Sequence, residues 1–237
     1  MAKKQTLKAK LATNLALIFL SISVGFVCFY PTEAETVSGE NSVYRYGLSE
    51  KGVSLMFNVY WGEKEVYKIL DTLDEYAGKA TFFIGGSWAD DNVDCLKEIY
   101  SRGHEIGNHG YFHKSQDKLS EEKNREEIAR CNQFVSLAVG VTPTLFAPPS
   151  GAYSDATLSA AQKLNMKTIL WSRDTIDWRD KDARLVYTRA TKDVQAGALI
   201  LMHPMDHTAN ALPDILKEYQ RRGLTAITVG ENLRIME

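Results

Sequence analysis

The sequence predicts an α/β fold: a closed or nearly closed barrel of about seven strand–helix units behind an N-terminal hydrophobic helix. Three observations predict it. Short β-branched runs alternate with longer amphipathic stretches from residue 53 to residue 229, the pattern of parallel strands covered by helices. The number of units favours closure over an open doubly wound sheet, and neither a dinucleotide glycine fingerprint nor a phosphate loop is present. The composition is that of a globular chain, with 237 residues, 44% hydrophobic and 24% charged, which excludes a disordered tail, a collagen-like rod and a disulfide-dense miniprotein. A net charge of −2 gives no reason to expect nucleic acid as a partner.

The first segment stands apart. Lys3, Lys4, Lys8 and Lys10 precede an uncharged run from Leu11 to Tyr30, closed by Pro31. A basic stretch followed by an apolar one is the order of an export signal, and the run is long enough to cross a bilayer. Residues 1–36 are therefore expected as a signal peptide or a membrane anchor, both readings staying open. The rest is exported, either secreted or anchored to the outer face of the cytoplasmic membrane. Residues 37–50 are expected as a linker and 51–237 as the folded domain. Cys28 lies in the leader; Cys95 and Cys131 are left either to pair in an oxidising compartment or to stay as free thiols, and no cysteine spacing matches a metal motif.

Within the domain, 53–57 reads as a strand. Val66, Ile69, Leu70, Leu73 and Tyr76 recur at helical spacing over 64–76, and Gly78 stops that helix. Residues 80–84 form the second strand, 93–101 a helix and 104–107 the third strand. A capping start at Ser120 opens a helix to 139. Strand 144–146 leads to the turn 148–151. Then follow a helix over 154–164, a strand over 168–171, a helix over 183–194, a strand over 198–202, a helix over 211–221 and a last strand over 225–229.

In such a barrel the chemistry sits at the C-terminal strand ends. Four of the five histidines fall there: His109 and His113 after the third strand, His203 and His207 after 198–202. His109 and His113, four apart, suit one divalent ion, since neutral imidazole binds zinc, cobalt or iron. His203, ending an apolar strand, has the setting of a general acid or base. Asp174 and Asp177 follow the strand 168–171 and are placed to orient a histidine or a cation, or to cap a turn. Trp61, Trp88, Trp171 and Trp178 all fall at or after strand ends, as sugar-stacking faces or as rim packing.

These residues carry a resemblance to the bacterial polysaccharide deacetylase family, the NodB homology domain, over about residues 53–229. The matching pieces are Lys79-Ala80-Thr81-Phe82-Phe83-Ile84-Gly85, the run from Gly103 through His109 to His113, the run Trp171 to Trp178, and Leu201-Met202-His203. The resemblance implies a distorted (β/α) barrel and metal-dependent hydrolysis of an N- or O-acetyl group on a glycan. It implies an Asp-His-His metal triad, a base aspartate and a protonating histidine. His109 and His113 match the metal histidines, His203 the acid, and Asp174 and Asp177 the acids of the tryptophan motif.

Two departures stand out. Where the family has Thr-Phe-Asp-Asp-Gly, this chain has Met56-Phe57-Asn58-Val59-Tyr60. Asn58 falls at the base position and Val59 at the metal aspartate. Ala147 stands where the third motif begins with arginine, the base's partner in the family. Gly110 also replaces a serine or threonine. Losing both members of an ion pair avoids an unpaired charge in a cleft, so the site reads as remodelled.

The candidate residues are His203, Asp174, Asp177 and Asn58 for catalysis; His109 and His113 with Glu63 for the metal; and Trp61, Pro149 and Trp178 for the substrate. Asn58, Asp90 and Asp91 are alternative third ligands. The expected cofactor is a divalent metal, zinc or cobalt. The expected partner is an acetylated polysaccharide, peptidoglycan foremost, with the membrane engaged through an uncleaved N-terminus. Two functions follow: a divergent metal-dependent carbohydrate deacetylase, or a catalytically inactive glycan-binding or scaffolding domain on the same fold.

Overall fold

The computed structural model describes residues 43–234. The expected leader falls outside the described residues, among which no helix is long and apolar enough to cross a membrane.

Strand β2 (Gly52–Val59) is buried along its whole length. Its alternation sorts two layers. Val53, Leu55, Phe57 and Val59 join the core between sheet and helices, while Met56 joins Phe83, Leu145, Ala147, Ile169 and Leu199 in a second core inside the curl of the sheet. Ser54 and Asn58 share the inner face with Met56. Strands β3 (Thr81–Ile84), β4 (Glu105–Asn108), β5 (Leu145–Phe146), β6 (Lys167–Ile169) and β8 (Leu199–Met202) complete the barrel wall. Two-residue strands β1 (Val43–Tyr44) and β7 (Arg173–Asp174) form its edges. The order is β1-β6-β5-β4-β3-β2-β8-β7, with β9 (Thr225–Ala226) against the start of β2. Every strand pair is parallel. The result is the expected α/β architecture, a distorted, incompletely closed barrel.

The helices follow their sequence signals. In α1 (Glu63–Glu75), Val66, Ile69, Leu70 and Leu73 are buried. Helices α2 (Gly86–Asp91) and α3 (Val93–Ser101) follow β3. Helix α4 (Glu121–Val139) opens with the Ser120 hydroxyl accepting from the Lys123 amide and ends at Gly140 with φ 78°, the left-handed cap that glycine adopts without strain. Helices α5 (Asp155–Lys163), α6 (Asp177–Asp180), α7 (Ala183–Thr191), α8 (Asp206–Arg221) and α9 (Val229–Asn232) complete the order.

Three expectations change. Residues 43–50 are not a linker: β1 pairs with β6, Tyr46 bridges to Ala198, and the Gly47 amide donates to Gly197 O. Helix α8 begins at Asp206 rather than 211, taking Pro213 into its interior. The strand expected over 225–229 stops at Ala226, because Thr228 and Glu231 form a reciprocal capping box that starts α9. Cys95 and Cys131 are free and buried.

Candidate active site

Strand β4 ends at Asn108 and delivers His109 to the rim, where it is buried. Its Nδ1 lies 2.7 Å from Ala147 O. A carbonyl only accepts, so Nδ1 carries the proton and the Nε2 lone pair is left free. Burial, with the nearby His113 and His203 adding to it, pushes the His109 imidazole down to about 3. It is neutral at physiological pH, the form that binds a metal. His113 lies edge-on to it, ring centroids 5.0 Å apart, and burial lowers its pKa too.

The loop between them is fixed from behind. The Asn108 side chain accepts from the Gly110 amide at 2.7 Å and donates to Asn132 and Ile128 O. Buried Glu127 accepts from the Phe112 amide at 2.8 Å and pairs with Lys114 at 2.9 Å. Arg130 lies 3.9 Å over the Tyr111 ring. These contacts hold His113 at φ 53°, a left-handed conformation that costs a non-glycine residue about 1–2 kcal/mol.

His203 follows β8. Its Nδ1 and its backbone amide each lie 2.7 Å from one carboxylate oxygen of Asp177, which is fully buried. Thr208 Oγ1 donates to the same carboxylate at 2.7 Å and the Trp178 amide at 2.8 Å. Burial opposes charge on Asp177, but the bonds to His203 outweigh it and hold its pKa below the usual range. With Nδ1 committed to Asp177, Nε2 is the atom of His203 left to exchange a proton. The Trp61 indole stacks on the His203 ring at 5.7 Å and 10°. Gly62 makes this possible: at φ +82°, a Cβ there would meet Pro204 O at 2.2 Å, so the two loops press together.

The end of β2 carries no carboxylate. Asn58 is buried with its Oδ1 unpartnered, whereas Val59 packs on the opposite, helix-facing side. Tyr60 fills the place of the family's glycine, its ring 4.9 Å from that of His113 and pressed so close to Gly85 that a Cβ there would meet it at 2.1 Å.

Other expected residues are placed elsewhere. Glu63 sits exposed in the first turn of α1, where its charge acts on Tyr67 and Cys95 rather than on the histidine pair. Asp90 accepts from Tyr111 OH at 3.2 Å, and Asp91 ends α2 exposed. Asp174 bonds the Ile176 amide in its own turn, so of the two acids only Asp177 meets His203. Pro149 is buried near Gly110, and Trp178 is half exposed at the rim. Among the described residues no three His, Cys, Asp or Glu side chains gather as a metal-holding group. The donors that fit a divalent ion are two neutral imidazoles and one orphaned amide oxygen on the inner face, a set without its usual anion.

The sequence reading missed Thr208 and Glu127, and placed His207 at the strand end without a role; its Nε2 bonds Asp177 O at 2.8 Å. Thr208 and His207 lie in the first turn of α8, a helix start the sequence reading put later. Glu127 is one of many acids on α4, and nothing in the linear pattern separates it from them.

Known proteins share this architecture. The Bacillus subtilis protein YlxY, described as uncharacterized, is 36% identical over 189 residues, covering 80% of this chain and 59% of its own length. A peptidoglycan-N-acetylglucosamine deacetylase of Bacillus cereus is 31% identical over 192 residues, covering 78% of this chain and 90% of the relative. The crystal structure of BA3943 from Bacillus anthracis, described as a CE4 family pseudoenzyme, superposes with a TM-score of 0.79 at 32% identity, covering 81% of this chain and 69% of that one. A mutant of BA3943 with restored enzymatic activity matches equally well, at 30% identity. Residues 45–169 match the family model for polysaccharide deacetylase. The curled parallel sheet, the rim histidines and this match over more than half of the chain make it a member of the polysaccharide deacetylase family.

Proposed function

We propose that this chain is a divergent carbohydrate deacetylase that hydrolyses an N- or O-acetyl group on an exported cell-wall polysaccharide, with peptidoglycan as the substrate class. The observation that carries the reading is the buried Asp177–His203 pair, built at 2.7 Å and opening through Nε2 onto the rim that carries His109 and His113. A relative named as a peptidoglycan deacetylase, matched over 90% of its length, supports the substrate class.

His109 and His113, with Asn58 Oδ1 as oxygen donor, would hold a divalent ion, zinc or cobalt. Such an ion supplies a Lewis acid that polarises an acetyl carbonyl and acidifies water. The chain's own residues do the rest. Ala147 O fixes the His109 ring so that Nε2 faces the site. Asp177 holds the His203 tautomer and stabilises its imidazolium, and His203 Nε2 delivers a proton to the departing amine. Trp61 fixes the plane of that ring, and Trp61 and Trp178 offer indole faces to sugar. Without the base aspartate the rate falls on the order of 10²–10⁴, so turnover is slow.

A second reading, a non-catalytic glycan-binding domain, is favoured by a specific observation. Val59 and Asn58 leave the site without a carboxylate, and BA3943, which superposes closely, is described as a pseudoenzyme.

One experiment separates the two. Metal content is measured by elemental analysis on the purified protein and on His109→Ala and His113→Ala, beside acetate release from acetylated peptidoglycan by wild type and His203→Ala. About one metal per chain, absent from both variants, with acetate release lost in His203→Ala, supports the deacetylase. No bound metal and no release, with glycan affinity that Trp61→Ala abolishes, establishes the binding domain.

A further inference from the structure

Away from the histidines, the open edge of the barrel holds a cavity of about 470 Å³ between β7, α7 and the 43–47 segment, lined by Tyr46, Arg173, Asp174, Arg189 and Lys192 among others. Three cations face one carboxylate there. The Asp174 carboxylate already accepts from the Ile176 amide at 2.7 Å. Arg189 is committed: it donates to Thr175 O at 2.8 Å and pairs with Asp180. Arg173 and Lys192 are not. Among the described residues neither has a carboxylate within ion-pair distance, and the one bond from Arg173 runs to Arg189 O at 3.2 Å. That bond fixes the guanidinium at the cavity wall while leaving most of its N–H groups unspent. Tyr46 is 64% exposed, and its hydroxyl has no partner among the described residues.

We infer that this cavity is a binding site for an oxyanion, a carboxylate or phosphate group carried on a glycan polymer. A planar guanidinium, an ammonium and a phenol converging on one hollow suit a multi-oxygen anion. The wall is also continuous with the reaction site. Arg189, which carries the Arg173 guanidinium, ties down both Thr175 and Asp180, and the turn between them presents Asp177 to His203. Arg173 pairs with Ile200 and Tyr46 bridges Ala198, so the hollow lies along the open edge beside the start of β8, and a polymer that reaches both the hollow and His203 runs up that edge toward the rim. The inference does not depend on turnover, because anion capture serves a binding domain as well as an enzyme.

The test is calorimetric titration of the full-length protein at low salt with inorganic phosphate, with N-acetylmuramic acid, and with neutral N-acetylglucosamine. Arg173→Gln and the exposed Lys192→Gln are run beside wild type. Binding of an anion that weakens about tenfold in Arg173→Gln, falls in the same direction in Lys192→Gln and declines with added salt supports the site. Phosphate alone points to a phosphopolymer and N-acetylmuramic acid alone to the glycan's own carboxylate. Affinities unchanged in both variants, or no binding of either anion, overturn it. Lys192 bonds nothing through its ammonium among the described residues, so its substitution tests the site without risk to the fold.

Discussion

Restoring a carboxylate by Asn58→Asp tests whether the remodelled β2 end still faces the histidine pair. Asn58 is 4% exposed with an unpartnered Oδ1, and Ala147, fully buried, offers no guanidinium. A protonated aspartic acid is nearly isosteric with asparagine, so at pH 4 the variant melts close to wild type. As the pH rises, the unfolded chain ionises near 3.9 while the buried carboxyl resists, and stability is lost until the folded-state pKa is passed. Burial raises such a pKa by about 2–3 units, which is roughly 3–4 kcal/mol at 1.36 kcal/mol per unit. At about 2–4 °C per kcal/mol for a domain of this size, the melting temperature at pH 8 drops by roughly 6–15 °C. Zinc should offset part of this, because the new carboxylate, although it stands at the family's base position, supplies the anion that His109 and His113 lack. A hundredfold excess over Kd returns about 2.7 kcal/mol, and wild type gains less. The assay is thermal unfolding followed by circular dichroism at pH 4, 6 and 8, with and without zinc. A variant whose melting temperature ignores both pH and zinc refutes the placement of Asn58 in a common site with the two histidines.

Burial pushes the His104 imidazole down to about 4 and His109 to about 3, against an unfolded value near 6.5. Both therefore stabilise the fold above about pH 6.5, and that contribution is lost as pH falls from there toward the folded values; urea midpoints should decline over that window, less so in His104→Phe. Gly62→Ala combines a left-handed φ with a clash against Pro204 O, costing about 2–5 kcal/mol; unfolding midpoints should fall, and tryptophan fluorescence should report the loss of the Trp61–His203 stack. Burial also pushes both the Cys95 and the Cys131 thiols up to about 12, so a thiol reagent should label these two only in denaturant, and fast native labelling mapped to either of them, as distinct from Cys28, would contradict their burial.

Most of the barrel was legible because its elements satisfy two periods at once. Alternate residues of β2 separate an inner from an outer core, and the 3.6-residue rhythm of α1 buries one stripe. What escaped has little pattern to read. Strands β1 and β7 are two residues long, and each exists only because a neighbour completes its ladder. The false strand at 225–229 came from weighing β-branched residues above the Thr228–Glu231 capping box, a local signal that was present in the sequence. The site divides in the same way. The histidines and Asp177 were visible through residue type and position. The choice between Asp174 and Asp177 was not, since both follow one strand and only the fold shows which turns inward. Thr208 and Glu127 act by bonding to other residues' polar groups, a role that no spacing encodes.

The two altered motifs differ in what the chain retained. Ala147 has lost the family's arginine side chain, yet its backbone carbonyl still holds His109 Nδ1 at 2.7 Å. Backbone contacts survive a change of side chain, so His109 keeps its orientation although its surroundings became neutral. Ala147 belongs to the inner core and Asn58 lies on the same face of the sheet, so side chains restored at both positions would face one space. Ala147→Arg alone buries a guanidinium without a partner and should cost about 3–5 kcal/mol, and Asn58→Asp alone costs what was worked out above. Together each supplies the other's counter-charge, so the double variant should be less destabilised than the sum by about 1–3 kcal/mol, with the gain confined to pH values at which the carboxyl is ionised. A double-mutant cycle by urea unfolding at pH 5 and pH 8 measures it. Additivity within about 0.5 kcal/mol at both pH values would mean that the two positions do not meet, and that the arginine and the aspartate were lost independently.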